Sequence, residues 1–142
     1  MPTHRGGCHC GRIRFEVEGD IDHVNTCNCS ICNMTGYLHW DVAPSAIRLL
    51  TRDGDWQSYR FGTGRAEHRF CTTCGISPFR VPRSDPDKIG INARCLEGID
   101  LTKLQVENFD GQHWESAIRA ERGPDWHEVE KGDGPRKGRA ED

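Results

Sequence analysis

The sequence predicts a single domain of mostly β structure, arranged in several small antiparallel sheets. Three observations support this class. Hydrophobic residues make up only 35% of the 142 residues while glycine occurs 16 times, a composition that disfavours a large helical bundle. Short apolar runs recur between Gly, Pro, Asn and Asp, which punctuate strands and turns. No segment shows a helical period longer than two turns.

The clearest strand is predicted at residues 12–18. Ile13, Phe15 and Val17 alternate with charged residues, so one face is apolar and the other charged. Gly19 and Asp20 then end the strand. Six further runs with strand character follow at residues 46–51, 56–61, 67–70, 77–81, 88–94 and 104–108.

One short helix is predicted at residues 30–35, ending at Gly36. This helix begins inside a group of three cysteines. Its free N–H groups are therefore expected to help hold thiolates in their charged form.

Seven of the eight cysteines fall into three tight groups with the spacings C-x-C, C-x-C-x-x-C and C-x-x-C. Thiolates at these spacings are typical of zinc sites. A disulfide framework, the alternative, needs an oxidising compartment and cysteines that pair across the fold. The spacing therefore predicts zinc. In chain order the groups are Cys8 and Cys10, then Cys27, Cys29 and Cys32, then Cys71 and Cys74.

Seven ligands divide most naturally into four plus three. The first and last pairs can close one structural tetrahedron, whereas the middle group leaves one position open for chemistry. Joining the last pair to the middle group would give five ligands to one ion and two to the other, which suits neither. We name the resulting sets the four-cysteine group (Cys8, Cys10, Cys71 and Cys74) and the three-cysteine group (Cys27, Cys29 and Cys32). Two zinc ions per chain are expected, one structural and one labile at the reactive site.

Charge and hydropathy argue against a nucleic-acid-binding protein and a membrane-spanning protein. The net charge of -3 shows no basic excess of the kind that marks nucleic-acid binders. No stretch has the apolar length needed to span a bilayer. Residues 1–7 contain no apolar signal region, so a cytoplasmic location is expected.

Five motifs follow one another in order along residues 4–118. They are Gly6-Gly7-Cys8-His9-Cys10-Gly11, Cys27-Asn28-Cys29-Ser30-Ile31-Cys32 with Thr35-Gly36, Arg69-Phe70-Cys71-Thr72-Thr73-Cys74-Gly75, Asn92-Ala93-Arg94-Cys95-Leu96 and Phe109-Asp110-Gly111-Gln112-His113-Trp114-Glu115. This ordered series resembles the glutathione-dependent formaldehyde-activating enzyme family, which also contains the centromere protein V relatives.

The resemblance implies a mostly β protein of several coiled sheets, with a structural zinc on the four-cysteine group and a second zinc on the three-cysteine group. It places the zinc-binding domain at residues 4–118 and leaves residues 119–142 as a C-terminal extension. It also implies carbon–sulfur bond chemistry, the named reaction being condensation of formaldehyde with glutathione to S-(hydroxymethyl)glutathione. The resemblance thus predicts a zinc-dependent carbon–sulfur lyase acting on a glutathione-like thiol adduct.

The chemistry of a three-thiolate zinc fits this class. Three thiolates overcompensate the dication, which makes the metal a weak Lewis acid for water and a good partner for an incoming sulfur. Cys27, Cys29 and Cys32 are therefore the predicted catalytic residues. The alternative is a non-catalytic zinc module that binds a protein or nucleic-acid partner. A fourth protein ligand on the three-cysteine group, from His23 or Cys95, would favour that alternative.

Proton transfer to and from the aldehyde oxygen requires a residue other than the zinc ligands. His39, His23 and Asp41 are the polar candidates nearest in sequence to the three-cysteine group. A structural or surface role is the alternative for each, because proximity in sequence does not measure geometry.

Other residues have a structural interpretation beside a functional one. Cys95 is predicted to be a small core residue rather than a ligand. Tyr37, Trp40 and Trp56 are more typical of core packing than of a pocket wall. His9 lies between two ligands and is expected to be exposed, because neighbouring side chains of an extended chain point to opposite sides.

Three arginines, Arg80, Arg83 and Arg94, could pair with the carboxylates of a glutathione-like ligand. The alternative for each is a solvent-facing position in a loop.

Residues 130–142 are charged and lack apolar periodicity. A solvated tail is predicted there, with an arm laid over a second copy in a homodimer as the alternative. Nearby acidic residues argue against nucleic-acid binding by its basic residues, which are Lys131, Arg136, Lys137 and Arg139.

Overall fold

The computed structural model describes residues 2–51 and 54–128. Within these residues the chain forms ten strands and two α-helices, joined by turns and short 3-10 segments. The strands are β1 (Thr3–Gly7), β2 (Arg14–Glu18), β3 (His23–Cys27), β4 (His39–Val42), β5 (Ile47–Leu49), β6 (Trp56–Tyr59), β7 (Glu67–Cys71), β8 (Phe79–Val81), β9 (Ile89–Asn92) and β10 (Gln105–Phe109). The helices are α1 (Ser30–Thr35) and α2 (Trp114–Arg122).

The strands form two sheets. A three-stranded antiparallel sheet has the order β1-β2-β5, and a seven-stranded sheet has the order β10-β3-β4-β9-β8-β7-β6. β3 and β10 run parallel at one edge of the larger sheet, and its other pairs are antiparallel. The predicted mostly β class is confirmed. The strands are gathered into two sheets, however, and the long connection from β3 to β10 allows one parallel pair.

The hydrophobic core lies between the two sheets. Ile13, Phe15 and Val17 are almost completely buried, as the alternating pattern predicted. Phe15 packs against Phe79 of β8 with ring centroids 5.8 Å apart, and Ile91 of β9 joins the same cluster. The larger sheet therefore turns its apolar face to the smaller sheet, and its other face is free to be polar.

Most predicted elements are present. Each of the seven predicted strand runs overlaps an observed strand. The predicted helix is confirmed as α1, which ends at Gly36 with the left-handed φ of 67° that favours glycine. The sequence prediction missed β1, β3 and β4, which are short and carry polar residues on one or both faces.

The prediction of a single short helix at residues 30–35 missed α2, which has nine residues. Its large apolar residues are Trp114 and Ile118, one turn apart, which is too few for a recognisable period. Ile118 is buried, so packing rather than local pattern stabilises this helix.

α2 continues past residue 118, and Trp126 beyond it contacts Trp114 with ring centroids 5.6 Å apart. The division into a domain at 4–118 and an extension at 119–142 stays a prediction. The predicted tail at 130–142, with its four basic residues, lies outside the described residues. In the described part of the chain, no helix combines the length and apolar character needed to cross a membrane.

Candidate metal centres and the adjoining pocket

The four-cysteine group is assembled from two turns. Cys8 and Cys10 lie in the turn after β1, whereas Cys71 ends β7 and Cys74 lies in the turn that follows. The Cys10 sulfur is 3.6 Å from the sulfurs of Cys8 and Cys71, and all four sulfurs lie within 4.8 Å of one another. Zinc–sulfur bonds of about 2.3 Å imply sulfur–sulfur edges of about 3.8 Å in a tetrahedron. The donor set therefore fits a closed zinc site.

Backbone N–H groups favour thiolates in this group. The Ile13 N–H donates to the sulfur of Cys8 at 3.3 Å, and the N–H groups of Thr73 and Cys74 donate to Cys71 at 3.3 and 3.4 Å. Burial raises the pKa of Cys71, but these N–H donors outweigh burial and hold the pKa below its ordinary value. Thiolate is the form that binds metal.

The three-cysteine group lies where β3 passes into α1. Cys27 ends β3, Cys29 caps α1 and Cys32 lies in the first turn of the helix. Their sulfurs lie within 4.8 Å of one another. Within residues 2–51 and 54–128, no other Cys, His, Asp or Glu places a ligand atom in this group. The protein thus offers three sulfur ligands here.

Hydrogen bonds concentrate negative charge on one of these sulfurs. Contacts from the Cys27 and Cys32 thiols lower the pKa of Cys29, and the N–H groups of Cys32 and Ile31 add to this effect. Contact with Cys29 raises the pKa of Cys27, against the opposing effect of Cys32, and contacts with Cys27 and Cys29 raise the pKa of Cys32. Cys29 is therefore the preferred thiolate of the metal-free group. The role predicted for the free N–H groups of α1 stays a prediction, because the Cys29 side chain makes no capping hydrogen bond.

A cavity of about 310 Å³ adjoins the three-cysteine group. Its walls are that group, the segment 61–66 between β6 and β7, and one face of α2. Its floor is the polar face of the seven-stranded sheet, opposite the core. The floor side chains are Asn25 from β3, His39 and Asp41 from β4, His68 from β7 and Arg80 from β8.

Strand pairing aligns three of these residues in one row. Asp41 is paired with Gly90 of β9, Gly90 with Arg80, and Arg80 with His68. A Cβ on Gly90 would lie 3.0 Å from Oδ1 of Asp41 and 3.4 Å from Nε of Arg80. Both side chains therefore reach over the bare backbone of Gly90.

Several floor atoms are buried without a protein partner. Both ring nitrogens of His39, Oδ1 of Asp41 and Nε of Arg80 make no hydrogen bond to any described residue. His39 is only 4% exposed. Since buried polar atoms are ordinarily paired, this floor is suited to a polar ligand that supplies the missing partners.

Burial also sets the charge of the floor. It lowers the pKa of His39 to about 2 and that of His68 to about 4, and the charge of Arg80 adds to both effects. Burial raises the pKa of Asp41, and Arg80 opposes that shift. Both imidazoles are therefore neutral near pH 7, and Arg80 carries the positive charge of the floor.

Two other arginines of the pocket already have carboxylate partners. Arg83 donates from Nε to Glu128 at 2.6 Å. Arg122 makes two hydrogen bonds to Asp85, at 2.7 and 2.9 Å. Within residues 2–51 and 54–128, Arg80 forms no ion pair within 4.0 Å.

The structure separates the predicted proton-handling candidates. His39 and Asp41 line the pocket. His23 lies elsewhere, where its Nδ1 is 2.9 Å from Oδ1 of Asp22 in an exposed pair. His68 was missed, because only the strand pairing reveals that it belongs to this floor.

The remaining candidates are mostly structural. Tyr37 is buried, and Trp40 and Trp56 pack against the core rather than line the pocket, as predicted. Cys95 is half-buried near the four-cysteine group, with its sulfur 4.0 Å from the carbonyl oxygen of Ser77. Burial raises its pKa to about 11, so it stays a thiol.

Two further predicted residues lie away from the pocket. Arg94 donates from Nε to the carbonyl oxygen of Gly36 at 3.0 Å. His9 is exposed, as predicted from its place between two ligands.

Comparison with known proteins supports this architecture. The model of a family described as glutathione-dependent formaldehyde-activating enzyme matches residues 3–112, which contain both cysteine groups. A crystal structure of a Rhodobacter sphaeroides protein, solved as a Northeast Structural Genomics target, is 34% identical with a TM-score of 0.65. That similarity covers 72% of this chain and 98% of the other.

Proposed function

We propose that this chain, which belongs to the glutathione-dependent formaldehyde-activating enzyme family, is a zinc-dependent carbon–sulfur lyase. Its substrate would be a thiol adduct such as S-(hydroxymethyl)glutathione. The proposal rests on one observation above all: three clustered cysteine sulfurs form part of the wall of a polar cavity.

The absence of a fourth ligand in the described residues favours this proposal over a closed, non-catalytic zinc module. His23 is engaged with Asp22, and Cys95 lies beside the four-cysteine group instead. Neither side chain joins the three-cysteine group. A thiol from the substrate can therefore serve as the fourth ligand.

In this role, Cys27, Cys29 and Cys32 would hold the zinc, which when bound stabilises a substrate sulfur as its thiolate. Cys29 is already the preferred thiolate of the group. The cavity of about 310 Å³ is large enough to hold a small thiol adduct beside these sulfurs.

The reaction balances without a redox partner. In the condensing direction the thiol loses its proton, a sulfur electron pair forms the C–S bond, and the C=O π pair moves onto oxygen, which takes up a proton. In the lyase direction the hydroxyl loses its proton, the oxygen pair re-forms the carbonyl, and the sulfur leaves with the C–S electron pair and takes up a proton.

His39 is the residue that we assign to this oxygen. Its imidazole is neutral and buried, and its two ring nitrogens have no partner among the described residues. A neutral imidazole donates a hydrogen bond from one nitrogen and accepts at the other, so it can relay a proton between the substrate oxygen and another group. Asp41, two residues along the same strand face, is the second candidate.

Metal analysis and thiol titration of the wild type and Cys29→Ser test the proposal. We expect about two zinc ions per chain in the wild type and about one in the variant, with the fold retained and thiol binding lost. Exchange between formaldehyde, glutathione and their adduct, measured by NMR, should be faster with the wild type than with Cys29→Ser. Cys95→Ser is the matched control and should keep both zinc ions and thiol binding.

Unchanged thiol binding in Cys29→Ser would contradict the reactive role of the three-cysteine group. Loss of folding in Cys29→Ser would contradict the division into structural and reactive sites. Thiol binding without accelerated exchange in the wild type would exclude the lyase activity on this adduct.

A further inference from the structure

We propose that Arg80 binds a carboxylate of the substrate on the floor of the pocket. This inference deepens the proposed function and rests on it for the identity of the site. It narrows the substrate class to a thiol adduct that carries a carboxylate on its thiol half or on its aldehyde half.

The three pocket arginines differ in whether they bind a carboxylate of the protein. Arg83 and Arg122 each bind a carboxylate of the protein, from Glu128 and Asp85, at 2.6 to 2.9 Å. Arg80 has no such partner among the described residues, and its Nε is buried. Arg80 is half-buried, and its buried Nε lacks an acceptor among the described residues, so a guanidinium in this position is suited to an anionic ligand.

The floor around Arg80 has little side-chain cover. Asp41 and Arg80 flank Gly90, which leaves bare backbone between them. Asp41 does not form an ion pair with Arg80 within 4.0 Å, and burial raises the pKa of its carboxyl group, which favours the neutral form. Oδ1 of Asp41 and Nε of Arg80 thus stay without a hydrogen-bond partner among the described residues, and Asp41 can donate a hydrogen bond to the same ligand when protonated.

Arg80 shares its cavity with the cysteine sulfurs. Cys29, His39, His68 and Arg80 line the same cavity, and strand pairing sets Arg80 directly beside His68. A ligand that offers sulfur to the three-cysteine group therefore shares its cavity with His39 and Arg80. A guanidinium binds a carboxylate with charge-assisted hydrogen bonds, which are the strongest polar contacts available there.

Calorimetric titration of the zinc-loaded protein tests this inference without any chemical turnover. The probes for the thiol half are S-methylglutathione and its diamide, which lacks both carboxylates. The probes for the aldehyde half are glyoxylate and glyoxylamide. Because the methylated sulfur cannot become a thiolate, a failure of the proposed lyase activity leaves this measurement intact.

In the wild type we expect the acid to bind about tenfold or more tightly than its amide in one of the two probe pairs. That pair identifies the half of the substrate that carries the carboxylate. Arg80→Gln should abolish the preference, and Arg83→Gln, the matched control on a guanidinium already paired with Glu128, should retain it.

Two results would overturn the inference: no preference for the acid in either probe pair, or a preference that survives Arg80→Gln. Circular dichroism checks that the variant folds. If Arg80→Gln does not fold, Arg80→Met, which keeps the apolar stem of the side chain, replaces it in the same titrations.

Discussion

At the residue scale, the three-cysteine group depends on a glycine outside it. A Cβ on Gly111 would contact the sulfur of Cys27 and lie 3.1 Å from the Cβ of Cys29. Gly111→Ala is therefore expected to displace Cys27 and to lower the zinc content from about two ions per chain to about one. Metal analysis after gel filtration measures this loss.

Gln112→Ala is the control for this substitution. Gln112 lies in the same 3-10 turn and its side chain is exposed, so both zinc ions should remain. Two retained zinc ions in Gly111→Ala, bound as tightly as in the wild type, would show that the contact with Cys27 does not shape the site.

His39 makes stability depend on pH. Its pKa falls from 6.5 to about 2 on folding, so His39 becomes protonated below pH 6.5 in the unfolded chain but stays neutral in the folded chain. Stability present at neutral pH is therefore lost as the pH falls through 6.5. Between pH 6.5 and 5.0, this residue should cost about 1.6 kcal/mol of the free energy of unfolding.

Urea unfolding of the wild type and His39→Phe at both pH values measures this contribution. The phenyl ring cannot titrate and can keep the stacking on Tyr37, whose ring centroid is 4.7 Å away. The loss of stability on acidification should be smaller in His39→Phe by about 1.6 kcal/mol. His9→Asn, at an exposed position, should lose as much stability as the wild type; an equal loss in all three proteins would refute the assignment.

At the scale of elements, local pattern predicted the strands and helix whose own sequence carries the signal. β2 alternates apolar and charged residues, and α1 ends at a glycine with a left-handed backbone. β4 was missed because its alternation is inverted: Trp40 and Val42 face the core, while polar side chains lie buried under the pocket. A buried polar face gives no hydrophobic signal.

Local sequence pattern also could not predict the pocket floor or the parallel pair at the sheet edge. His68, Arg80 and Asp41 belong to three strands that are far apart in sequence, and only pairing brings them into one row. β3 and β10 likewise pair across about half the chain. Sequence reasoning could propose Arg80 and Asp41 as polar candidates but could not assign them to one site.

α2, which forms one wall of the pocket, is anchored by an ion pair. Arg122 makes two hydrogen bonds to Asp85; burial raises the pKa of Asp85, but these bonds outweigh burial and hold the pKa below its ordinary value. The pair is partly exposed, so we expect Arg122→Gln to cost only about 1 kcal/mol. Hydrogen exchange of the α2 amides should therefore accelerate about fivefold.

Arg119→Gln is the matched control, since Arg119 lies on the same helix and is exposed. It should leave exchange in α2 nearly unchanged. Equal acceleration in both variants would show that helix propensity, rather than the Asp85 contact, sets the local stability of α2.

At the scale of the whole molecule, cysteine spacing carried more information than any other feature of the sequence. The division into four and three follows from ligand count, and the structure gathers the sulfurs into those same two groups. The reason is physical: ligands two or three residues apart are close enough to bind one ion, and four such ligands complete a zinc tetrahedron. The pocket beside the three-cysteine group depends instead on sheet topology, which ligand count does not determine.

The two groups should differ in their effect on global stability. Cys10 and Cys71 are 61 residues apart, so zinc on the four-cysteine group would close a long loop. Such a crosslink is worth about 4 kcal/mol by loop entropy, or about 10 °C in Tm for a chain of this size. The three-cysteine group spans a short segment and would constrain the unfolded chain far less.

Cys10→Ser isolates this effect, because Cys10 is exposed and its loss removes little packing. Differential scanning calorimetry should show a Tm about 10 °C lower for Cys10→Ser and no more than about 3 °C lower for Cys29→Ser. Chelation of the wild type should lower its Tm by at least as much as Cys10→Ser does, because it removes both ions. Similar shifts in the two variants would mean that the three-cysteine group also carries folding energy, and that a purely reactive duty is the wrong description of it.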